Sequence, residues 1–511
     1  MAIDHHGMLN IVAPPTHNRS AYLIAALAGA ANVFAFAPFG AFFIPMLTIA
    51  LLLKLIGLAT PKHAARLGFA FGAAWFAGGM YWLYISLHDF GQAPVLLAVI
   101  IMLCLIAIMA AYYALFAWLV ARFAPRMPSV RLLLFVPALW TLLEWTRGWF
   151  LSGFPWFALG YAQTDNWLAG YAPVAGVFGV SLVVMLLAGA LALLTERGRV
   201  NRGVAIVMLL VVVAGGWLLQ SVEWTRAAGE PVNVALMQGN VAQDKKWLPE
   251  MRVPTMQRYW RLTEESSGAD LVIWPEAAIP ALYWQLDEGF YRQVEDGLLS
   301  ENQRLLTGTL VHELERDVYF NSAVVLGGDE RRFYHKRHLV PFGEYFPVPD
   351  FVREWLRLMN LPYSDFETGT DGSALKISSS LSVAVMICYE AVFGEEVITA
   401  LPEAELLVNI SNDGWFGRSI GPLQHFQISR MRAIETGRWL LRATNTGVTA
   451  VVDHNGRVLE RLPQFETAVL RADVQPREGA TPYVRYGNVF VVLIALLLLA
   501  AGGLVAFRER R

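Results

Sequence analysis

One cysteine in this 511-residue sequence stands in a context that could make it a nucleophile. Cys388 follows the apolar run Val-Ala-Val-Met-Ile, and the sequence has only one other cysteine, Cys104. A thiol attacks a carbonyl carbon as its thiolate, so it needs a base or a nearby positive charge. Glu276, after Leu-Val-Ile-Trp-Pro, could be the base, and Lys336, in Phe-Tyr-His-Lys-Arg-His, could stabilise an oxyanion. These residue types predict acyl transfer through Cys388.

Each of these residues also has an ordinary structural interpretation. A cysteine after an apolar strand is more often a small buried hydrophobe than a nucleophile. Glu276 could be a surface acid at a strand end, and Lys336 a solvated charge. Glu344, eight residues after Lys336, could orient the lysine or stabilise a turn. The topology predicted below places Cys388 outside the cytoplasm, in an oxidising compartment. An unpaired thiol there is prone to oxidation, so its presence favours a catalytic function.

The composition predicts a membrane protein. Hydrophobic residues make up 56% of the chain and charged residues only 16%, whereas about a quarter of the residues in soluble domains are charged. A net charge of -2 argues against a nucleic-acid partner. No Cys-x-x-Cys pair or Cys/His cluster is present, and Arg316 replaces the second histidine of a zinc-protease motif at His312-Glu313. Neither a metal nor another cofactor is therefore expected.

Eight apolar stretches approach the length of about 20 residues that crosses a bilayer. They are Ala21–Phe36, Ala41–Leu53, Leu67–Leu87, Val95–Val120, Leu132–Trp145, Ala169–Leu194, Val204–Leu219 and Val489–Phe507. The first two could instead form one span and a re-entrant piece. If all eight cross and the amino terminus is cytoplasmic, the basic residues concentrate on the inside, and only Arg147 lies in a short outside loop.

This topology divides the chain into three parts. Residues 1–222 form a membrane domain with spans one to seven, residues 223–486 an extracytoplasmic catalytic domain, and residues 487–511 the eighth span and a cytoplasmic tail. Glu144 and Arg147 lie three residues apart on one helical face, so we expect them to pair at the outer end of the bundle.

The soluble part is predicted to be one α/β domain. Its expected strands are Val232–Met237, Leu271–Trp274, Arg304–Gly308, Ala323–Leu326, Val383–Ile387, Leu406–Ile410, Leu440–Asn445, Thr449–Val452 and Thr467–Ala472. Its expected helices are Thr255–Glu265, Gly289–Glu301, Phe393–Leu401 and Leu423–Thr436. Glu276 and Cys388 each follow a strand, where open α/β sheets place their active sites.

Four motifs resemble the nitrilase superfamily. They are Trp274-Pro-Glu276, Tyr334-His-Lys336-Arg-His-Leu-Val-Pro-Phe-Gly-Glu344, Ile387-Cys388-Tyr-Glu390 and Asn409-Ile-Ser-Asn-Asp413-Gly-Trp-Phe. The resemblance implies a four-layer αββα sandwich. It also implies a triad in which Glu276 is the base, Lys336 stabilises the oxyanion, and Cys388 accepts the acyl group.

With seven spans before this domain and one after it, the whole chain resembles the apolipoprotein N-acyltransferase family. The resemblance implies that Glu344, Tyr389 and Glu390 support the active site and that Trp247 and Trp415 bind substrate. The implied reaction moves an acyl chain from phosphatidylethanolamine, through a thioester, to the α-amine of a diacylglyceryl-cysteine on an apolipoprotein. This is the last step of lipoprotein maturation.

The same resemblance implies where the protein works and with what. We expect a monomer in the inner membrane of a bacterium, with a periplasmic catalytic domain, cytoplasmic termini and no cofactor. The partners are phospholipid, diacylated apolipoprotein and the surrounding membrane lipid. Residues 351–361 carry apolar residues on one helical face, and we expect them either to pack on the sandwich or to gate lipid access.

Two other classes of function remain open from the sequence. A membrane-anchored nitrilase-type amidase acting on small amides would need a small polar pocket and would release its thioester to water. A transporter or receptor with a degenerate sensor domain would need ionisable residues along its spans, and these spans contain few.

Overall fold

A computed structural model describes residues 19–298, 303–345 and 366–511. The segment 351–361, which the sequence predicts to be a lipid gate or a packed helix, lies outside the described residues. The amino-terminal half is helical. Its main helices are α1 (Arg19–Ala31), α2 (Ile44–Gly57), α3 (Pro61–Gly79), α4 (Val95–Phe123), α5 (Pro128–Arg147), α6 (Ala172–Leu194) and α7 (Arg199–Gln220).

Short helical turns join these helices. They are Asn32–Ala35, Trp82–Tyr84, Ile85–Phe90, Phe150–Ser152, Leu159–Gln163 and Trp167–Tyr171. The predicted first span, Ala21–Phe36, is therefore not one regular helix. Buried Asn32 marks the change, because its amide donates to the Ala28 carbonyl while its Oδ1 accepts from the Thr48 hydroxyl of α2.

The length and apolar composition of its helices are those of a membrane protein. Among the described residues, five helices are long and apolar enough to cross a bilayer: Val95–Phe123, Pro128–Arg147, Trp167–Leu194, Arg199–Gln220 and Val489–Arg508. Helices α1 and α2 are apolar but shorter, and α3 carries Lys62 and Arg66 near its start. The count of eight spans accordingly stays a prediction.

Two six-stranded sheets form the centre of the second half. The strands are β1 (Arg226–Ala227), β2 (Val232–Gln238), β3 (Leu271–Ile273), β4 (Arg304–Glu313), β5 (Val318–Leu326), β6 (Arg332–His335), β7 (Leu375–Lys376), β8 (Ser382–Ile387), β9 (Leu406–Ser411), β10 (Trp439–Thr444), β11 (Ala450–Val452), β12 (Val458–Arg461), β13 (Ala468–Val474) and β14 (Arg477–Glu478). One sheet has the order β13-β2-β3-β4-β5-β6 and the other β12-β11-β10-β9-β8-β7, while β1 pairs with β14. The central neighbours β2-β3-β4 and β8-β9-β10 are parallel.

The two sheets pack face to face through alternating side chains. In β2, Val234 and Leu236 enter the core between the sheets, whereas Ala235 and Met237 point to the helical layer outside. In β9, Val408 faces the same inter-sheet core. The outer layers contain α8 (Arg252–Glu264) and α9 (Arg292–Leu298) on one side and α10 (Gly421–Thr436) on the other. The four layers form the αββα sandwich that the resemblance implies.

The remaining helices complete the chain. Short ones are Pro249–Met251, Tyr283–Leu286, Asp287–Tyr291, Cys388–Val392, Gly394–Val397, Ile398–Ala400, Asp413–Phe416 and Pro482–Tyr486, and the last long helix is α11 (Val489–Arg508). Helix α10 starts with Pro422 in its first turn and ends at Gly437, whose φ of +64° caps it. Residues Ile428, Met431 and Ile434 of α10 share a buried core with the membrane helices, so this helix joins the sandwich to the membrane domain.

Candidate active site

Glu276 lies in a tightly constrained turn after β3. The next residue, Ala277, has a φ of +42°, and Gly308 of β4 approaches so closely that a Cβ there would lie 2.6 Å from the Glu276 Cα. The carboxylate accepts hydrogen bonds from Asn321 Nδ2 at 2.8 Å and from the main-chain nitrogen of Asn412 at 2.9 Å. These contacts fix the direction in which Glu276 presents its oxygens.

Lys336 follows β6 and is buried between two carboxylates. Its Nζ lies 2.8 Å from Glu344 Oε2 and 3.8 Å from Glu276 Oε1, and its side chain is 1% exposed. Burial alone would lower the pKa of Lys336, but the charges of Glu344 and Glu276 outweigh burial and raise it. The lysine therefore stays an ammonium ion through the whole physiological pH range.

Asn321 joins the two acids that flank Lys336. Its Nδ2 donates to Glu276 Oε1 and to Glu344 Oε1, both at 2.8 Å. Sequence reasoning missed this residue, because a polar side chain in the middle of the predominantly apolar strand β5 carries no motif. The amide keeps both carboxylates at a fixed distance from the ammonium.

Cys388 occupies a strained backbone position after β8. Its φ of +52° is in the left-handed region, which a residue with a Cβ adopts only when its surroundings enforce it. Glu390 accepts from the main-chain nitrogen of the preceding Ile387 at 2.6 Å, and His425 Nε2 lies 3.1 Å from the Cys388 carbonyl oxygen. Two buried side chains thus hold the main chain on both sides of the thiol.

The thiol is neutral at rest. Burial raises the pKa of Cys388, the negative charge of Glu276 raises it further, and Lys336 only partly opposes this. A neutral thiol must give up its proton during attack, and the carboxylate of Glu276 is a group chemically able to accept it. The positive charge of Lys336 therefore does not by itself produce a thiolate at this site.

A buried polar network lies behind the nucleophile. Asp413 accepts from Ser411 Oγ at 2.9 Å and from Arg442 Nη2 at 2.8 Å, and its Oδ1 lies 2.9 Å from His425 Nδ1. Burial lowers the pKa of His425 and Arg442 lowers it further, so the ring is neutral, with Nδ1 facing Asp413 and Nε2 facing the Cys388 carbonyl oxygen. The sequence motif contained Asp413, but the contributions of His425 and Arg442 were not predicted.

This network does not fit a metal ion. Cys388, Asp413 and His425 offer ligand atoms within 4.8 Å of one another, a donor set that zinc accepts. However, the Arg442 guanidinium already neutralises the Asp413 carboxylate, and its Nη2 lies 3.1 Å from His425 Nδ1, while Nε2 lies 3.1 Å from the Cys388 carbonyl oxygen. A cation would have to displace a buried guanidinium, so Asp413 and His425 support the main chain at Cys388 and do not form a metal site with it.

The two residues after Cys388 point in different directions. Tyr389 donates to the carbonyl of Gly153 at 3.2 Å, in the loop after α5, and its ring lies 5.1 Å from that of Phe393. Glu390 is buried and accepts from main-chain nitrogens on both the lysine and cysteine segments. Tyr389 therefore contacts the membrane domain, and Glu390 holds the two segments together.

The two tryptophans predicted to bind substrate remain accessible. Trp247 is 49% exposed and Trp415 is 41% exposed. In the described residues neither indole belongs to the hydrogen-bonded cluster around Lys336. Each tryptophan instead lies within two residues of a side chain that contacts the site. Lys246, next to Trp247, donates to the Glu276 carbonyl, and the loop of Trp415 follows Asp413.

The membrane domain forms one side of this region. Gln424 of α10 accepts from the indole nitrogens of Trp82 at 3.1 Å and Trp156 at 2.9 Å. Trp156 is fully buried, so its ring lies in the contact between the helical domain and α10. Glu144 and Arg147 are buried with 3.8 Å between them, and they bind the main chain of the loop that carries Trp156.

The geometry supports nucleophilic chemistry at a carbonyl carbon. A neutral thiol, a carboxylate held by two donors and a permanent ammonium ion supply a nucleophile, a proton acceptor and an oxyanion partner. Glu276 and Lys336 follow strands of one sheet and Cys388 follows a strand of the other, and the loop after α5 contacts Tyr389, the residue after Cys388. The site can form an acyl-enzyme and then pass the acyl group on.

Comparison with known proteins covers nearly the whole chain. Residues 28–190 match the apolipoprotein N-acyltransferase N-terminal domain, and residues 233–483 match the carbon-nitrogen hydrolase family. An apolipoprotein N-acyltransferase of Nitrosomonas europaea is 46% identical over 500 residues, covering 96% of this chain and 98% of that protein. Those of Methylococcus capsulatus and Vibrio parahaemolyticus are 41% and 40% identical, covering 92% and 94% of this chain and 93% and 97% of those proteins.

Proposed function

Because this chain belongs to the apolipoprotein N-acyltransferase family, we propose that it acylates lipoproteins through a thioester on Cys388. The donor is a phospholipid, phosphatidylethanolamine. The acceptor is the α-amine of the amino-terminal diacylglyceryl-cysteine of an apolipoprotein. The reaction is ping-pong, since the acyl chain rests on the enzyme between the two lipid substrates.

The first half-reaction forms the acyl-enzyme. Cys388 Sγ attacks the ester carbonyl carbon of the donor while its proton passes to Glu276. The ammonium of Lys336 stabilises the negative charge that develops on the carbonyl oxygen. When the tetrahedral intermediate collapses, the C–O bond breaks, and the departing lysophospholipid oxygen takes the proton back from Glu276. The products are a thioester and a lysophospholipid with its hydroxyl group restored.

The second half-reaction releases the acyl chain to the acceptor. The α-amine must be uncharged to attack, and its nitrogen must lose one more proton as the new C–N bond forms. Glu276 accepts that proton and returns it to the Cys388 sulfur as the C–S bond breaks. The result is an amide on the lipoprotein and a free, protonated thiol. One carboxylate thus serves both half-reactions.

The position of Lys336 is the observation that carries this proposal. An ammonium ion 2.8 Å from Glu344 and 3.8 Å from Glu276 cannot lose its proton at neutral pH, so it is an electrophilic partner and not a base. Glu344 holds the ammonium, which leaves Glu276 free to exchange protons with Cys388. This division of roles requires both acids.

The membrane domain supports the same function. We infer that all eight apolar stretches cross the inner membrane of a bacterium, with the termini in the cytoplasm and the sandwich in the periplasm. Both lipid substrates are anchored in the outer leaflet, so a tethered active site meets them already oriented. We infer that the enzyme works as a monomer and without nucleic acid or a cofactor.

The alternative, a membrane-anchored amidase acting on small amides, is not favoured. Relatives that share 40% to 46% identity over more than nine-tenths of this chain are named apolipoprotein N-acyltransferases. An amidase for small soluble substrates would also gain nothing from an apolar helical domain whose loop contacts the residue next to Cys388.

Mass spectrometry of the purified protein tests this proposal. After incubation with phosphatidylethanolamine of one defined acyl chain, we expect a mass increase of one acyl group on the peptide that contains Cys388. Cys104, in α4, is an internal control that stays unmodified. No adduct on Cys388, or an equal adduct on the C388A variant, would refute the acyl-enzyme.

A further inference from the structure

The buried charges around the proposed base do not balance within the triad and Glu344. Glu276 and Glu344 are two carboxylates, and Lys336 supplies only one positive charge. An excess negative charge in a buried site is costly, and Glu276 must carry its charge if it is to accept the thiol proton. A further positive charge near Glu276 would remove this problem.

Lys246 supplies such a charge. Its side chain is buried, with the residue 1% exposed, and Nζ donates to the main-chain oxygen of Glu276 at 3.3 Å. Burial lowers the pKa of Lys246 to about 8, and the negative charge of Glu276 opposes that fall. Lysine is rarely buried without a carboxylate partner. Lys246 contacts the main-chain oxygen of the proposed base, and the carboxylate of the same residue acts on Lys246 through its charge.

The loop that carries Lys246 is fastened to the site. Asn445 Oδ1 accepts from the main-chain nitrogen of Val241, and Gln243 Oε1 accepts from Asn412 Nδ2 at 2.8 Å. Asn412 in turn donates its main-chain N–H to Glu276 Oε2. The loop after β2, the turn of Glu276 and the loop after β9 therefore hold one another in place, and Lys246 cannot move away without disturbing them.

We propose that Lys246 is a positioning residue for Glu276, which it holds by its main-chain oxygen and keeps ionised by its charge. The inference rests on the proposed acyl transfer, in which Glu276 takes the thiol proton. With Lys246 and Lys336 both protonated, the two carboxylates are neutralised before reaction. During attack, negative charge moves from Glu276 to the carbonyl oxygen, and the total charge of the site does not change.

The direction of the pH effect follows from this arrangement. Removing a positive charge near a carboxylate makes its ionised form less stable, so a smaller fraction of the carboxylates is ionised at a given pH. A variant without the Lys246 charge should lose activity on the acid side of its pH profile. A lysine that only filled space or joined loops would change the maximal rate or the amount of folded protein, but not the position of the acid limb.

The test measures the rate of Cys388 acylation by phosphatidylethanolamine in single turnovers between about pH 5 and pH 9. The variants are K246M, K246Q and K246R, with K245M as the matched control because Lys245 is the exposed neighbour. In K246M and K246Q we expect the acid limb to move to higher pH by about one unit, which lowers the rate about tenfold at pH values on the acid limb of both profiles. K246R and K245M should keep the wild-type acid limb.

Folded protein is confirmed for every variant by its elution as a single species and by cooperative thermal unfolding in detergent. If K246M does not fold, the K246Q and K246R pair decides in its place. An unchanged acid limb in a folded variant without the charge would overturn the inference. Failure of the wild-type protein to form any Cys388 adduct would instead refute the proposed function, so the two failures can be told apart.

Discussion

The carboxylate of Glu390 lies 2.6 Å from the main-chain nitrogen of Arg337, the residue directly after Lys336. The other oxygen of the same carboxylate accepts from the main-chain nitrogen of Ile387, the residue directly before Cys388, also at 2.6 Å. One buried acid therefore joins the segments that carry the ammonium ion and the thiol. The first prediction follows from this link.

Replacing Glu390 should slow both half-reactions together. A glutamine has only one acceptor oxygen, so E390Q can satisfy one of the two main-chain donors, and E390A satisfies neither. We expect acylation of Cys388 and its discharge to fall by a similar factor, about tenfold or more in E390Q and further in E390A. Rapid-quench measurement of both steps checks this, and a loss confined to one step would contradict it.

The titration of the Cys388 thiol gives a second prediction, with opposite signs for two variants. The charge of Glu276 raises the pKa of the thiol and that of Lys336 lowers it. E276Q should therefore lower this pKa and K336M should raise it, although both variants lose acyl transfer. The rate of alkylation by iodoacetamide as a function of pH reports the thiolate fraction.

The C388A variant is the blank for this measurement, since it leaves only Cys104 to react. In the wild-type protein, alkylation of Cys388 should keep rising above about pH 9, because the thiol is neutral at rest. If E276Q and K336M moved the alkylation profile in the same direction, the assigned electrostatic roles of the glutamate and the lysine would be wrong.

The two tryptophans predicted to bind substrate should affect the binding of lipid and leave the reactivity of the Cys388 thiol unchanged. Trp247 and Trp415 each have nearly half of their surface exposed, which suits contact with an acyl chain. We expect W247A and W415A to raise the KM for a long-chain phospholipid several-fold while leaving alkylation of Cys388 unchanged. W284A, at another exposed tryptophan, is the matched control. A reduced alkylation rate would instead indicate damage to the site.

Gln424 should stabilise the contact between the two domains. In Q424L, the indole N–H groups of Trp82 and Trp156 lose their acceptor, at a cost of about 1 to 3 kcal/mol for each buried donor. We expect the Tm in detergent to fall by several degrees. Q220L, an exposed glutamine at the end of α7, makes the same chemical change and should leave the Tm unaltered.

The sequence predicted the parts of the sandwich that are buried on both faces. Strands β2, β8 and β9 are apolar runs, and their observed bounds differ from the expected ones by one residue at most. Strand β6 was not predicted because its residues, Arg-Phe-Tyr-His, form no apolar pattern. Its position at the sheet edge, paired with β5, depends on tertiary contacts.

Among the site residues, too, the sequence predicts those that stand in motifs and not those that depend on tertiary contacts. Glu276, Lys336 and Cys388 could be proposed because each stands in a motif, and the structure brings Glu276, Lys336 and Glu344 together. Lys245 and Lys246 are adjacent and chemically identical in the sequence, and only the fold determines that the second is buried. Asn321 and His425 likewise act through distant partners that no local pattern reveals.

Discharge of the isolated acyl-enzyme is the most direct test of the central claim. Protein acylated on Cys388 is freed of donor lipid and mixed with a diacylglyceryl-cysteine peptide, and both products are followed by mass spectrometry. We predict a triacylated peptide and a free Cys388 in equal amounts, formed much faster than the thioester is hydrolysed. Release of the acyl chain as free fatty acid, with the peptide unchanged, would contradict the account.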